Sequence, residues 1–158
     1  MRGLIFFALI TASVDADIEE CMNNPVKITC CEDDLASEEV SESVHECFNL
    51  KNTENCEREV CIAKEKGVLT ANSTLDSAKL IEVVHHRLKN NTKAFEAIKK
   101  KCFVDKLDKI IAEDPCNLKK AFKCMKIMYL AHCSLWHGSD QCSKIKDTVM
   151  SCSSKKLI

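Results

Sequence analysis

Proline and glycine are scarce in this sequence, two of the first and three of the second in 158 residues. Such a chain has few places for tight turns, and no run alternates apolar with polar residues as a half-buried strand does. Helices are therefore expected throughout, and a β-rich fold is excluded. Aromatic residues make up only 5% of the chain, with one Trp and one Tyr, so the apolar content is mainly aliphatic. Charge of neither sign dominates, since 23 Lys and Arg stand against 24 Asp and Glu. That balance argues against a nucleic-acid or anionic-membrane partner, because both call for a concentrated basic surface. The one basic run, Lys99-Lys100-Lys101, reads as a solvated helix face. No apolar run approaches the roughly 20 residues of a bilayer span, so stable membrane insertion is not expected.

Cysteine, by contrast, is abundant. Twelve residues, Cys21, Cys30, Cys31, Cys47, Cys56, Cys61, Cys102, Cys116, Cys124, Cys133, Cys142 and Cys152, all follow a leader that reads as a secretory signal. In that leader, residues 1–16, Arg2 is the positive end, Leu4 to Ile10 the apolar stretch and Val14-Asp15-Ala16 the small-residue cleavage site. Residues 17–158 then form one domain, with no Gly/Ser or Pro-rich linker to divide it. An even cysteine count in a secreted chain permits six bridges with no thiol left over. A metal site is not expected: no Cys-x-x-Cys occurs, and His132, Cys133 and His137 make a poor ligand cluster.

Apolar spacing and capping residues divide the domain into six to eight short helices. The first is expected from Ile18 to Asn24, stopped by Pro25; the next from Leu35 to Leu50, with Asp34 as cap and Leu35, Val40, Val44 and Cys47 near one face. A third runs from Thr53 to Gly67, a C-terminal glycine. Leu75 to Leu88 places Leu80, Val84 and Leu88 on one stripe, and Thr92 opens a segment carrying Phe95, Ile98 and Cys102. Cys102 to Ala112 carries two overlapping stripes, Phe103-Leu107-Ile110 and Val104-Leu107-Ile111. Asp114-Pro115 starts the strongest helix, with Leu118, Phe122, Met125 and Tyr129 on one face, and Ser139 opens a last one carrying Cys142, Ile145, Val149 and Cys152.

The cysteine spacing and its surroundings resemble a known family. Cys30 and Cys56 have 25 residues between them, Cys61 and Cys102 have 40, and Cys102 and Cys116 have 13. Cys61 to Leu69 places a lysine and a glycine before two aliphatics, and Cys116 to Cys124 holds an internal alanine. These features resemble the six-cysteine core of the insect odorant-binding proteins. The adjacent pair Cys30-Cys31, the intervening Cys47 and the later Cys133, Cys142 and Cys152 resemble the Plus-C subgroup. The intervals Cys56 to Cys61 and Cys116 to Cys124 hold four and seven residues, where the family has three and eight.

The resemblance implies an all-α, disulfide-stapled bundle around an apolar cavity. Its function would be non-covalent carriage of a small hydrophobic molecule, an odorant or pheromone, with a membrane chemoreceptor as partner. Cys56 would pair with Cys116, Cys102 with Cys124, and Cys61 with Cys30 or Cys31. The stripe residues expected to line the cavity are Val84, Leu88, Phe95 and Ile98, then Leu107 and Ile111, then Leu118, Phe122, Met125 and Tyr129. Acidification could release the ligand through His85 or His86, which cannot share a ligand because adjacent helical side chains point about 100° apart.

No catalytic apparatus or cofactor is expected. Gly-x-Ser-x-Gly is absent, and every cysteine is better used in a bridge. A secreted phospholipase A2 is excluded, since His45 trails Cys30-Cys31 by fourteen residues and no glycine-rich loop exists. A saposin-like six-cysteine order does not fit. The competing reading is a secreted helical protein-binding module such as an inhibitor, venom component or immune effector. It would present an exposed apolar patch in place of a hollow core, and Val68-Leu69 and Leu157-Ile158 are the short apolar pieces that look stranded. Asn72-Ser73-Thr74 and Asn90-Asn91-Thr92 match the glycosylation acceptor pattern.

Overall fold

A computed structural model of the chain describes residues 20–21, 28–33, 42–50 and 56–158. The leader, the Asp34 cap with Leu35 and Val40, Pro25 and Thr53 lie outside the described residues. Of the helix expected from Ile18, only Glu20 and Cys21 are described, and both are helical. Seven α-helices follow among the described residues: α1 (Glu42–Asn49), α2 (Glu57–Glu65), α3 (Ser77–Arg87), α4 (Thr92–Lys101), α5 (Leu107–Glu113), α6 (Asn117–Ala131) and α7 (Asp140–Ser153). A 3-10 turn spans Ile28–Cys30. None of these helices is long and apolar enough to cross a membrane.

Local chemistry accounts for several helix ends. Gly67 has φ +67°, the left-handed conformation that closes a helix and that glycine adopts without a Cβ clash. Ser139 accepts from the Cys142 N–H at 3.3 Å and opens α7. Asp76 accepts from the Lys79 N–H at 2.9 Å, so α3 begins at Ser77 and not at Leu75. Leu75 is drawn instead into an isolated antiparallel bridge with Leu69. The opener of α4 is Asn91, which accepts from Ala94 N–H at 3.0 Å, while Thr92 is the first helical residue. The stretch Cys102 to Ala112 is not one helix. Lys106, at φ +68°, breaks the path and α5 starts at Leu107. Ahead of α6, the Asp114 carboxylate accepts from Cys116 N–H at 2.9 Å and the Asp114 carbonyl accepts from Asn117 N–H at 3.0 Å, forming a preliminary turn.

All twelve cysteines are paired. Three bridges join the N-terminal segment to the C-terminal third: Cys21–Cys152, Cys30–Cys142 and Cys31–Cys133, with sequence separations of 131, 112 and 102. Cys56–Cys116 and Cys102–Cys124 are the pairs that the resemblance implies. Cys61 is a correction: it joins Cys47, not Cys30 or Cys31. The physical reason is proximity, because α1 packs on α2 and brings the two Cα atoms to 5.6 Å, while Cys30 and Cys31 are committed to the other end of the chain.

The interior is built as two apolar clusters joined by α6. The first gathers Leu88, Ala94, Ile98, Ile127, Met128, Leu130, Ile145 and Val149 with six bridged cysteines. The second gathers Ala63, Val68, Leu69, Leu75, Leu80, Leu107, Ile111, Leu118 and Ala121. Val68 and Leu69, which look stranded in the sequence, are 2% and 6% exposed, and Leu157 is buried in the first cluster. Helix α4 lies antiparallel against α6. The bridge Cys102–Cys124 ties its end to the middle of α6, and Asn91 Nδ2 donates to the His132 carbonyl at 3.2 Å beyond the far end.

Asn91 thus acts twice, as cap and as tie, whereas Asp76 only caps. A lost cap costs about 1 kcal/mol and a lost hydrogen bond about 1 more. Asn91→Ala is therefore expected to destabilise by roughly 1–2 kcal/mol in denaturant titrations with disulfides intact, and by more than Asp76→Ala. An equal or reversed order would contradict the assignment.

Candidate functional site

The ten side chains expected to line a cavity all lie on the two apolar clusters. Leu88, Ile98 and Tyr129 are buried in the first; Leu107, Ile111 and Leu118 are buried in the second. Phe95 is half-buried against the first cluster and Phe122 against the second. Val84 and Met125 pack against both, as do Phe103 and the terminal Ile158. The sequence stripe Leu118-Phe122-Met125-Tyr129 accordingly starts in one cluster and ends in the other. Its two middle members are half-buried, whereas its ends are buried.

Two open clefts lie on the described surface, and none of those ten residues lines either of them. One, about 400 Å³, is bounded by Lys79, Glu82, Val83, His85 and His86 on α3 and by Lys89 just beyond it. Both histidines are exposed, and the His85 ring meets Phe95 edge-on with centroids 4.8 Å apart. His85 therefore touches a residue of the apolar set.

The other cleft, about 500 Å³, is polar and is lined by Asp33, Asn90, Asn91, Lys93, His132, Cys133 and Ser134. Sequence reasoning missed it because its residues come from three distant stretches. The fold joins them by the Cys31–Cys133 bridge, by Glu32 N–H donating to the Leu135 carbonyl at 2.8 Å and by His137 N–H donating to the Cys30 carbonyl at 2.9 Å. Cys31 and Trp136 form an isolated antiparallel bridge, and the Lys146 ammonium lies 5.9 Å from the Trp136 ring centroid. Tyr129, buried in the first cluster, donates its hydroxyl to the Asp33 carbonyl at 3.3 Å. Burial, with the nearby Asp33 charge second, raises the Tyr129 phenol above its ordinary range.

Cys31, Asp33 and Cys133 stand close enough to suggest a metal group. The two sulfurs are spent in a disulfide, so only the carboxylate remains to bind an ion. That carboxylate is also engaged. Ser134 N–H donates to one oxygen at 2.8 Å and the Ser134 hydroxyl donates to the other. The cleft is thus a hydrogen-bonded clasp around a loop, with Lys93 and His132 at its edge.

No family model, no curated protein and no solved structure matches this chain.

The clasp makes stability depend on pH. Partial burial pushes the Asp33 carboxyl upward, but the bonds from the Ser134 hydroxyl, the Ser134 N–H and the Leu135 N–H outweigh it, and the net shift is downward. A carboxyl lowered on folding contributes stability above its unfolded pKa, about 3.9, and loses it as pH falls through the folded value. Asp33→Asn is expected to lower the denaturant midpoint at pH 7 and to converge with wild type as pH falls through the lowered folded value. A difference that persists undiminished at low pH would remove Asp33 as its cause.

Proposed function

We propose that this chain is a secreted carrier that binds small hydrophobic molecules non-covalently, as the resemblance to Plus-C odorant-binding proteins implies. The observation that carries the reading is the junction between the two apolar clusters. Val84, Phe103 and Met125 pack against both, yet each is only partly buried. Side chains that bridge two cores and are partly exposed can be parted to admit an apolar guest, and methionine adapts its shape readily. Around the junction the helices are cross-linked, so opening it need not dismantle the shell. The two pairs Cys56–Cys116 and Cys102–Cys124 agree with the six-cysteine core of that family. A chemoreceptor would be the recipient of the cargo, and no catalytic or cofactor role is assigned.

The protein-binding alternative has one observation of its own. Phe48 and Leu50, at the end of α1, are 55% and 40% exposed, and Phe48 meets His45 edge-on. An exposed aromatic of this kind can anchor a partner. Displacement of a naphthylamine fluorophore from the purified protein by aliphatic alcohols or esters separates the two readings. A carrier gives saturable, competable binding; a protein-binding module gives none.

Two variants locate the site. Phe122→Ala is expected to weaken probe binding by about tenfold, equivalent to about 1.4 kcal/mol. Leu130→Ala, fully buried in the first cluster, is expected to cost about 2–5 kcal/mol of stability and to leave affinity unchanged where the protein is folded. A Phe122→Ala protein that melts early but binds as wild type would make Phe122 core and not pocket.

A further inference from the structure

Whether an Asn-x-Thr pattern can carry a glycan depends on where the fold puts the asparagine. The structure puts both patterns on turns between helices, with the acceptor side chains exposed. Asn72 sits at the tip of the loop between Leu69 and Leu75. That loop is closed by Thr70 N–H to the Thr74 carbonyl at 3.0 Å, Ser73 N–H to the Thr70 carbonyl at 2.9 Å and Thr74 N–H to the Thr70 hydroxyl at 3.2 Å. The acceptor itself takes part in none of these bonds.

Asn90 sits in the turn between α3 and α4. There the structural bonds belong to its neighbour: Asn91 caps α4 and ties it to the His132 carbonyl. Asn90 is left with an exposed amide, and Thr92 is exposed at the helix start. A large group on either Asn72 or Asn90 would extend into solvent without displacing a packed side chain or breaking a described bond.

We propose that Asn72 and Asn90 are both N-glycosylated. The proposal rests on the reading that the chain enters the secretory pathway, where the donor, a polyprenyl-diphosphate-linked oligosaccharide, and its transferase are present. In the transfer, the asparagine Nδ2 attacks the anomeric carbon of the first sugar. The new C–N bond forms as the C–O bond to the diphosphate breaks; the diphosphate leaves with the electron pair, and the amide gives up one proton to the transferase's base. Nothing is oxidised or reduced. A glycan on Asn90 stands at the mouth of the polar cleft, so that face is covered in the mature protein.

The full chain expressed in an insect cell line, with its own leader, tests this by intact mass of the material in the medium. Two glycans are expected, both removed by a peptide-N-glycosidase that leaves aspartate in place of asparagine. Asn72→Gln and Asn90→Gln should each remove one, and the double variant both. Thr74→Ala and Thr92→Ala should remove the same glycans while keeping each asparagine, which guards against a variant lost through misfolding. Protein in the medium at its unglycosylated mass would overturn the proposal and leave the carrier reading standing. Protein retained in the cytosol with its leader uncut and no glycan would overturn both.

Discussion

Three disulfides hold the molecule closed. Cys21–Cys152, Cys30–Cys142 and Cys31–Cys133 clamp residues near the start of the described chain onto α7 and the loop before it, across separations of 131, 112 and 102 residues. Restricting a loop of about 100 residues in the unfolded chain is worth up to about 4.7 kcal/mol, although nested loops do not add. The helices need that help. The longest described helix, α6, has 15 residues and the shortest, α5, has seven, lengths at which an isolated helix is marginal in water. The clamp also helps to build the polar clasp, since the Cys31–Cys133 bridge lies next door to Asp33 and Ser134 and, with the backbone bonds of Glu32 and His137, holds their segments together.

The other three bridges organise the part of the molecule where the carrier reading would seat a ligand. Cys102–Cys124 fixes α4 against α6, Cys56–Cys116 fixes the start of α2 against the start of α6, and Cys47–Cys61 pins α1 onto α2. Cross-links take over some of the work that close packing does elsewhere. Side chains between the clusters can then remain partly buried, as Val84, Phe103 and Met125 do, at less risk to the whole fold. This division between a stapled frame and an adaptable seam is the physical basis of the carrier reading.

What could be read from the sequence was what local chemistry decides. The all-helical class, the Ser139 cap and the Gly67 terminus follow from periodicity and capping within a few residues; on α6 the stripe keeps its buried ends Leu118 and Tyr129, but the buried middle is Ala121, Cys124, Ile127 and Met128 and not Phe122 and Met125. What escaped was decided at a distance or against local preference. Lys106 has no side-chain reason to adopt a left-handed conformation, so the break before α5 left no mark. Val68 and Leu69 look stranded until the bridge to Leu75 folds them inward. The partner of Cys61 depends on α1 lying against α2, a tertiary fact that spacing does not encode. The polar cleft draws on positions 33, 90, 91, 93 and 132–134, which no local window contains together.

The arrangement of the cross-links is the claim on which the rest stands. Fragment mass mapping of the purified, unreduced protein, with thiols blocked before digestion, tests it most directly. The account predicts no blocked thiol, Cys47 linked to Cys61, and each of Cys21, Cys30 and Cys31 linked to a cysteine beyond Leu130. A fragment joining Cys61 to Cys30 or Cys31 would contradict the clamp and, with it, the two-cluster interior built around it.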